Sequence, residues 1–228
     1  MNEDIDSKFA LPGRPYWQDA GVAAGCAERL LPMAASLGGR AIAAATESAL
    51  ALVWRTVVDP ESGPGERPVI RALSDAIRNA SDEGLEELGA RAATVTLLAL
   101  HAVQGASGEN WVGVARAGAL DLVGEVDFEL AMPSTAVTLP DQDEIAPGPL
   151  ERGEIQAQRA SLKLLDTGWE PDAEALEAVQ RLSRRQAAEL ARALPAFARR
   201  RGQRYSDFEQ RRAARMAAIA RQQERNRP

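Results

Sequence analysis

Leu50, Val53, Trp54 and Val57 stand at i, i+3, i+4 and i+7, and this spacing recurs along most of the chain. Residues three and four apart share one face of an α-helix, whereas a half-buried strand needs strict alternation. Val22, Cys26, Leu30 and Met33 fall on one face of a helix beginning near Tyr16. Val112, Ala115, Ala119, Leu122 and Val126 do the same between about residues 109 and 130. No stretch alternates for more than a few residues. Alanine is abundant and only 4% of residues are aromatic, which favours helix over strand. The expected fold is all-α: a single bundle of about six to seven helices over residues 16–194, with a basic helical extension over 195–228. A chain of 228 residues can bury a core of that size.

Glycine and proline punctuate the helices. Pro32 lacks an N–H and crowds the carbonyl of Glu28, so it is expected to stop or kink the first helix. Gly38-Gly39 then breaks the chain, and a second helix runs from about Arg40 to Val58. A loop over Asp59–Pro68 precedes a short helix to Asn79, and Ser81-Asp82-Glu83 starts another that reaches about Val103. Ala92 to Val103 is apolar almost all round and is expected to be the central helix. Gly113, Gly118 and Gly124 each cost roughly 1 kcal/mol inside a helix, which predicts a closely approaching neighbour. The proline-rich acidic stretch from Met132 to Leu150 reads as a linker or mobile loop. Helices are expected over about 150–166 and 172–194, broken at Thr167-Gly-Trp-Glu-Pro171, with a tail helix over about 205–223.

Charge is unevenly placed. From Arg199 onward ten arginines face Asp207, Glu209 and Glu224, a net +7, so the remainder carries −13. The lone cysteine excludes an internal disulfide, and the acidic N-terminus does not read as a signal peptide. No apolar run is expected to reach the ~18 residues that span a bilayer. A cytoplasmic protein is the expectation.

The chemistry-bearing residues are few. A nucleophilic Cys26 would need a thiolate and a nearby base, and His101 is the only histidine, so Cys26 reads as a buried small residue. Arg29 lies at the edge of the packing face, where a guanidinium needs a carboxylate; a structural ion pair is expected. Glu28 points the other way. One histidine without a cysteine pair is no zinc site, and no metal or cofactor is expected. Asp121, Glu125 and Glu129 form an i, i+4, i+8 stripe. Such a stripe is a solvated face, a place for a hard cation, or a mimic of nucleic-acid phosphates that covers a toxin. Asp141-Gln-Asp-Glu144 lacks the glycine of a calcium loop. Arg199, Arg200, Arg201, Arg204, Arg211, Arg212 and Arg215 suit phosphate contacts, a solvated helix, or a strap against the acidic body. Phe197, Tyr205 and Phe208 offer little stacking surface beside them.

Cys26-Ala-Glu-Arg-Leu-Leu-Pro32, followed by a helix that closes on Trp54, resembles the YjaG-like helical family of unknown function. It departs after Pro32, where that family has Asn-Tyr and this chain has Met33-Ala34. Residues 90–130 and Glu154-Ile-Gln-Ala-Gln158 are compatible with the family's later helices. A second group, bacterial immunity proteins of toxin systems, begins with a similar segment. The resemblance covers about residues 16–58 and supplies no catalytic residue. It implies an all-helical fold and a protective binding role; Cys26, Arg29 and Trp54 are expected to be structural. The expectation is therefore a non-enzymatic immunity or antitoxin protein whose acidic stripe meets a toxin. The alternative is a nucleic-acid-binding accessory protein working through the arginine tail.

Overall fold

The computed structural model describes residues 15–59, 66–104, 110–132 and 146–225. Among them are seven helices and no strand: α1 (Tyr16–Leu37), α2 (Gly39–Val58), α3 (Glu66–Arg78), α4 (Gly84–Val103), α5 (Trp111–Ala131), α6 (Pro149–Leu164) and α7 (Ala173–Arg225). The protein is an all-α bundle. Most of the expected linker, residues 133–145, lies outside the described residues.

The centre is α1. Every residue from Ala20 to Leu30 is buried, so no face of those three turns meets solvent. Helices α2, α4, α5, α6 and α7 surround it. Small side chains make this enclosure feasible, because Ala20, Gly21, Ala23, Ala24, Gly25 and Ala27 let neighbours close in from several directions. The expected central helix, α4, is instead the most extensive neighbour of α1, and its His101 is only half-buried, stacked on Trp111 at 4.9 Å between ring centroids. Pro32 does not end α1, which continues to Leu37 with Met33, Ala34 and Leu37 packed into the core.

The close helix contacts use other glycines than expected. A Cβ on Gly21 would lie 3.0 Å from Leu165 Cδ1 and 3.0 Å from Leu176 Cδ2, and one on Gly25 would lie 3.1 Å from Ser183 Oγ. A Cβ on Gly89 would meet the backbone nitrogen of Gly38 at 2.2 Å. By contrast, Gly118 and Gly124 have only ordinary contacts, at 3.4 and 3.6 Å, and Gly113 is filled by Asn110, the cap of its own helix.

Helix α2 is long and apolar enough to cross a bilayer by length and composition, which corrects the expectation that no such run exists. Its Ile42, Ala49, Leu50, Val53 and Val57 are packed into the bundle core. The last helix differs most from expectation. Two helices separated near Leu194 were anticipated, but α7 is one helix of 53 residues, about 80 Å long, unbroken through Pro195 and Gly202. Leu190, Leu194 and Phe197 all sit in the core, so nothing in the chain's path marks residue 195.

Candidate functional site

Three sets of residues carry the charge and exposure from which a function could be built. The first is a dry polar seam where α1, α5, α6 and α7 meet. Arg29 Nε donates to Glu154 Oε2 at 2.5 Å and Arg29 Nη2 to Glu154 Oε1 at 2.8 Å, a bidentate pair. Nη1 also donates to Ser183 Oγ at 3.0 Å, and Nη2 to Cys26 Sγ at 3.2 Å. Gln158 Nε2 donates to Glu154 Oε1 at 2.9 Å and to the Arg116 carbonyl at 3.0 Å, while Arg116 Nε donates to Gln158 Oε1 at 3.0 Å. Burial is the largest single effect and works against the Arg29 charge, but Glu154 and Cys26 together outweigh it and hold the guanidinium above its ordinary range. Burial pushes the Cys26 thiol up to about 12, so it stays protonated at neutral pH. A thiol is a poor nucleophile, and Cys26 here serves packing.

Glu28, on the opposite side of α1, accepts from Trp54 Nε1 at 2.6 Å and from Arg184 Nε at 3.1 Å. The tryptophan that closes the recognised segment is thus tied to the glutamate within it. Glu154 and Gln158 were missed as partners for a physical reason: the buried face of α6 is Glu154, Ala157, Gln158 and Ser161. It keeps helical spacing but is mostly polar, so an apolar-periodicity search passes over it.

The second set is the acidic stripe, against which the arginine tail lies as a strap. Asp121 pairs with Arg91, and Glu125 with Arg91 at 2.9 Å and Arg201 at 3.0 Å. Glu129, with its side chain only 1% exposed, lies 3.0 Å from Arg204 and 3.7 Å from Arg201, in charge contacts that are not aligned hydrogen bonds. Arg200 Nη1 donates to the carbonyls of Glu129, Leu130 and Met132, at 3.3, 2.5 and 3.2 Å, and so caps the end of α5. Glu125 and Glu129 therefore form a clasp that holds α7, while Asp121 joins α5 to α4 through Arg91 and stays exposed. The cause is the continuity of α7, which carries Arg200, Arg201 and Arg204 back over α5. Those three arginines are withdrawn from the expected phosphate-binding set. Arg199, Arg211, Arg212 and Arg215 remain exposed.

The third set was not expected. Between α6 and α7, Trp169 exposes 75% of its surface. Its backbone is fixed from below. Trp17 Nε1 donates to the Trp169 carbonyl at 3.0 Å, and Gln18 Nε2 to the Gly168 carbonyl at 2.9 Å. Gly168, at φ +146, adopts a backbone that only glycine takes readily. Asp172 Oδ1 accepts from the amides of Glu174 and Ala175 at 3.0 and 3.1 Å, capping the start of α7. Exposed Asp166, Glu170 and Glu174 lie within five positions of Trp169 in the chain. The turn residues announced a helix break; the buried donors that make it rigid were out of reach of sequence reasoning, because they lie about 150 positions away. Among the described residues no group of three or more His, Cys, Asp or Glu is placed to hold a metal ion.

The architecture is similar to the crystal structure of a DUF416 family protein from Shewanella baltica OS155. The two share 18% of residues and a TM-score of 0.61, over 80% of this chain and 94% of that one. The likeness is one of fold. No protein-family model matches the chain. No curated protein matches it.

Proposed function

We propose that this chain is a non-enzymatic, cytoplasmic protein-binding protein that engages a basic partner through the Trp169 loop. The observation that carries this reading is the exposed indole on an immobilised backbone. Tryptophan is enriched among residues that dominate binding energy, because it offers a large rigid surface with few rotatable bonds. A loop already fixed by Trp17 and Gln18 gives up little further entropy on binding. The acidic side chains around it suit a positively charged partner and would speed its approach. Through the YjaG-like and immunity resemblances, the partner class we favour is a toxin with a basic nucleic-acid-binding surface, the chain acting as its antitoxin. The acidic stripe takes no part in this.

Trp169→Ala should weaken the partner complex by about 2 kcal/mol or more, roughly 30-fold in Kd, without changing the melting temperature. Full affinity in that variant would remove the reading. The nucleic-acid alternative keeps Arg199, Arg211, Arg212 and Arg215, all exposed along α7. It requires salt-dependent DNA or RNA binding that disappears when these four are neutralised.

A further inference from the structure

Beyond Tyr205, whose hydroxyl donates to Glu83 Oε2 at 3.4 Å, α7 leaves the bundle. From Tyr205 to Ala217 every side chain is exposed except that of Glu209, which is half-buried. Four large apolar side chains are nonetheless placed there: Tyr205, Phe208, Met216 and Ile219. At 100° per residue they fall with Arg212 in a stripe about 80° wide. It continues the face on which Leu190 and Leu194 enter the core. The apolar face of α7 thus outruns the body that covers it.

The stripe is symmetric about Arg212. Phe208 and Met216 stand four positions to either side, and Tyr205 and Ile219 stand seven. A two-fold axis through Arg212 would set Phe208 of one helix against Met216 of an antiparallel copy, and Tyr205 against Ile219. Arg212 already lies 3.6 Å from Glu209 of its own helix. Across the axis the partner's Glu209 would lie one turn away on the same flank. Each Arg212 would then sit between two carboxylates, and the two guanidinium groups would not meet unshielded. A parallel pair is excluded by the body. The stripe shares its face with the part of α7 that carries the bundle, so two parallel copies would drive their bundles, each of charge −13 outside the tail, into one another.

We infer that the projecting part of α7 pairs antiparallel with the same segment of a second copy of this chain. This surface is separate from the Trp169 loop, so the two readings stand or fall independently. The interface is a pair of four-turn helices, small beside a standard protein–protein interface, so the dimer is weak and concentration-dependent.

The test is sedimentation equilibrium of the full chain over a range of concentrations. Its mass should rise from that of a monomer toward twice that value. Phe208→Asp, at an exposed position that leaves the melting temperature unchanged, should hold it at one copy throughout. The single native cysteine, Cys26, is buried, so an added thiol reports on the axis. Arg212→Cys should cross-link two chains under oxidation, whereas Ile219→Cys should not. A wild-type chain that stays monomeric at every concentration overturns the inference and leaves the face to another protein. Dimerisation that survives Phe208→Asp overturns it by placing the interface elsewhere, and cross-linking through Ile219→Cys overturns the antiparallel arrangement.

Discussion

The seam around Arg29 and the clasp around Glu125 use the same chemistry, arginine against carboxylate, in opposite surroundings. In the seam both partners have side chains only 2% exposed. In the clasp, Arg91 and Asp121 are 38% and 67% exposed. Water screens the second pair and is excluded from the first, so the seam carries a large desolvation cost that only complete pairing offsets. Buried charge here fixes one way of packing four helices, while the exposed Arg91–Asp121 pair ties α4 to α5 at low cost. Intactness matters in the seam, and number matters in the clasp.

The sharpest way to break this contrast is Glu154→Ala. It strands a buried guanidinium and should cost about 3–5 kcal/mol in chemical denaturation, whereas Arg29→Met with Glu154→Leu should recover most of that loss. A single-variant cost below about 1 kcal/mol would mean that water reaches the seam. Next comes a pair of glycines that should differ in sign. Gly25→Ala adds a methyl 3.1 Å from Arg29 Nη1 and 3.1 Å from Ser183 Oγ, for a loss of about 1–3 kcal/mol. Gly124→Ala meets nothing nearer than 3.6 Å and should gain about 0.5–1 kcal/mol from helix propensity.

In the clasp, Arg201→Ala combined with Arg204→Ala exposes the cost of the buried Glu129 carboxylate, about 1–3 kcal/mol. Hydrogen exchange should show the loss along α7 near residues 198–204. Asp121→Ala should cost less than about 1 kcal/mol, and salt should erase it. The smallest effect is one of pH. Burial, and for Glu151 then the Asp127 charge, raises both of these carboxyls above their ordinary values. A carboxyl raised in the folded state contributes stability at low pH and loses it as pH rises through the folded value. Glu151→Gln should therefore stabilise the protein slightly at neutral pH, and the difference should shrink on acidification toward the ordinary carboxylate range.

Helical periodicity made the fold class legible, because Leu50, Val53, Trp54 and Val57 can share a face only in a helix. Arg29 at the edge of the packing face correctly demanded a carboxylate. Which carboxylate stayed hidden, since Glu154 lies 125 positions away on a face that is mostly polar. A strap of the arginine tail against the acidic body is one of the readings the sequence leaves open, but local spacing cannot bring Arg201 and Arg204 to Glu125 and Glu129. Pro32 was overweighted for a related reason: tertiary packing outweighs the single hydrogen bond a proline removes. Trp169 was seen only as part of a break, and its exposure depends on Trp17 and Gln18 at the far end of the chain.

The central claim is that the binding surface is the Trp169 loop and not the acidic stripe. Titration calorimetry tests it most directly, using the protein that co-purifies stoichiometrically with the full chain, against wild type, Trp169→Ala and Asp121→Asn. The account predicts roughly 30-fold weaker binding for Trp169→Ala and unchanged binding for Asp121→Asn. Unchanged binding by Trp169→Ala, together with a loss in Asp121→Asn, would contradict it and return the interface to the stripe.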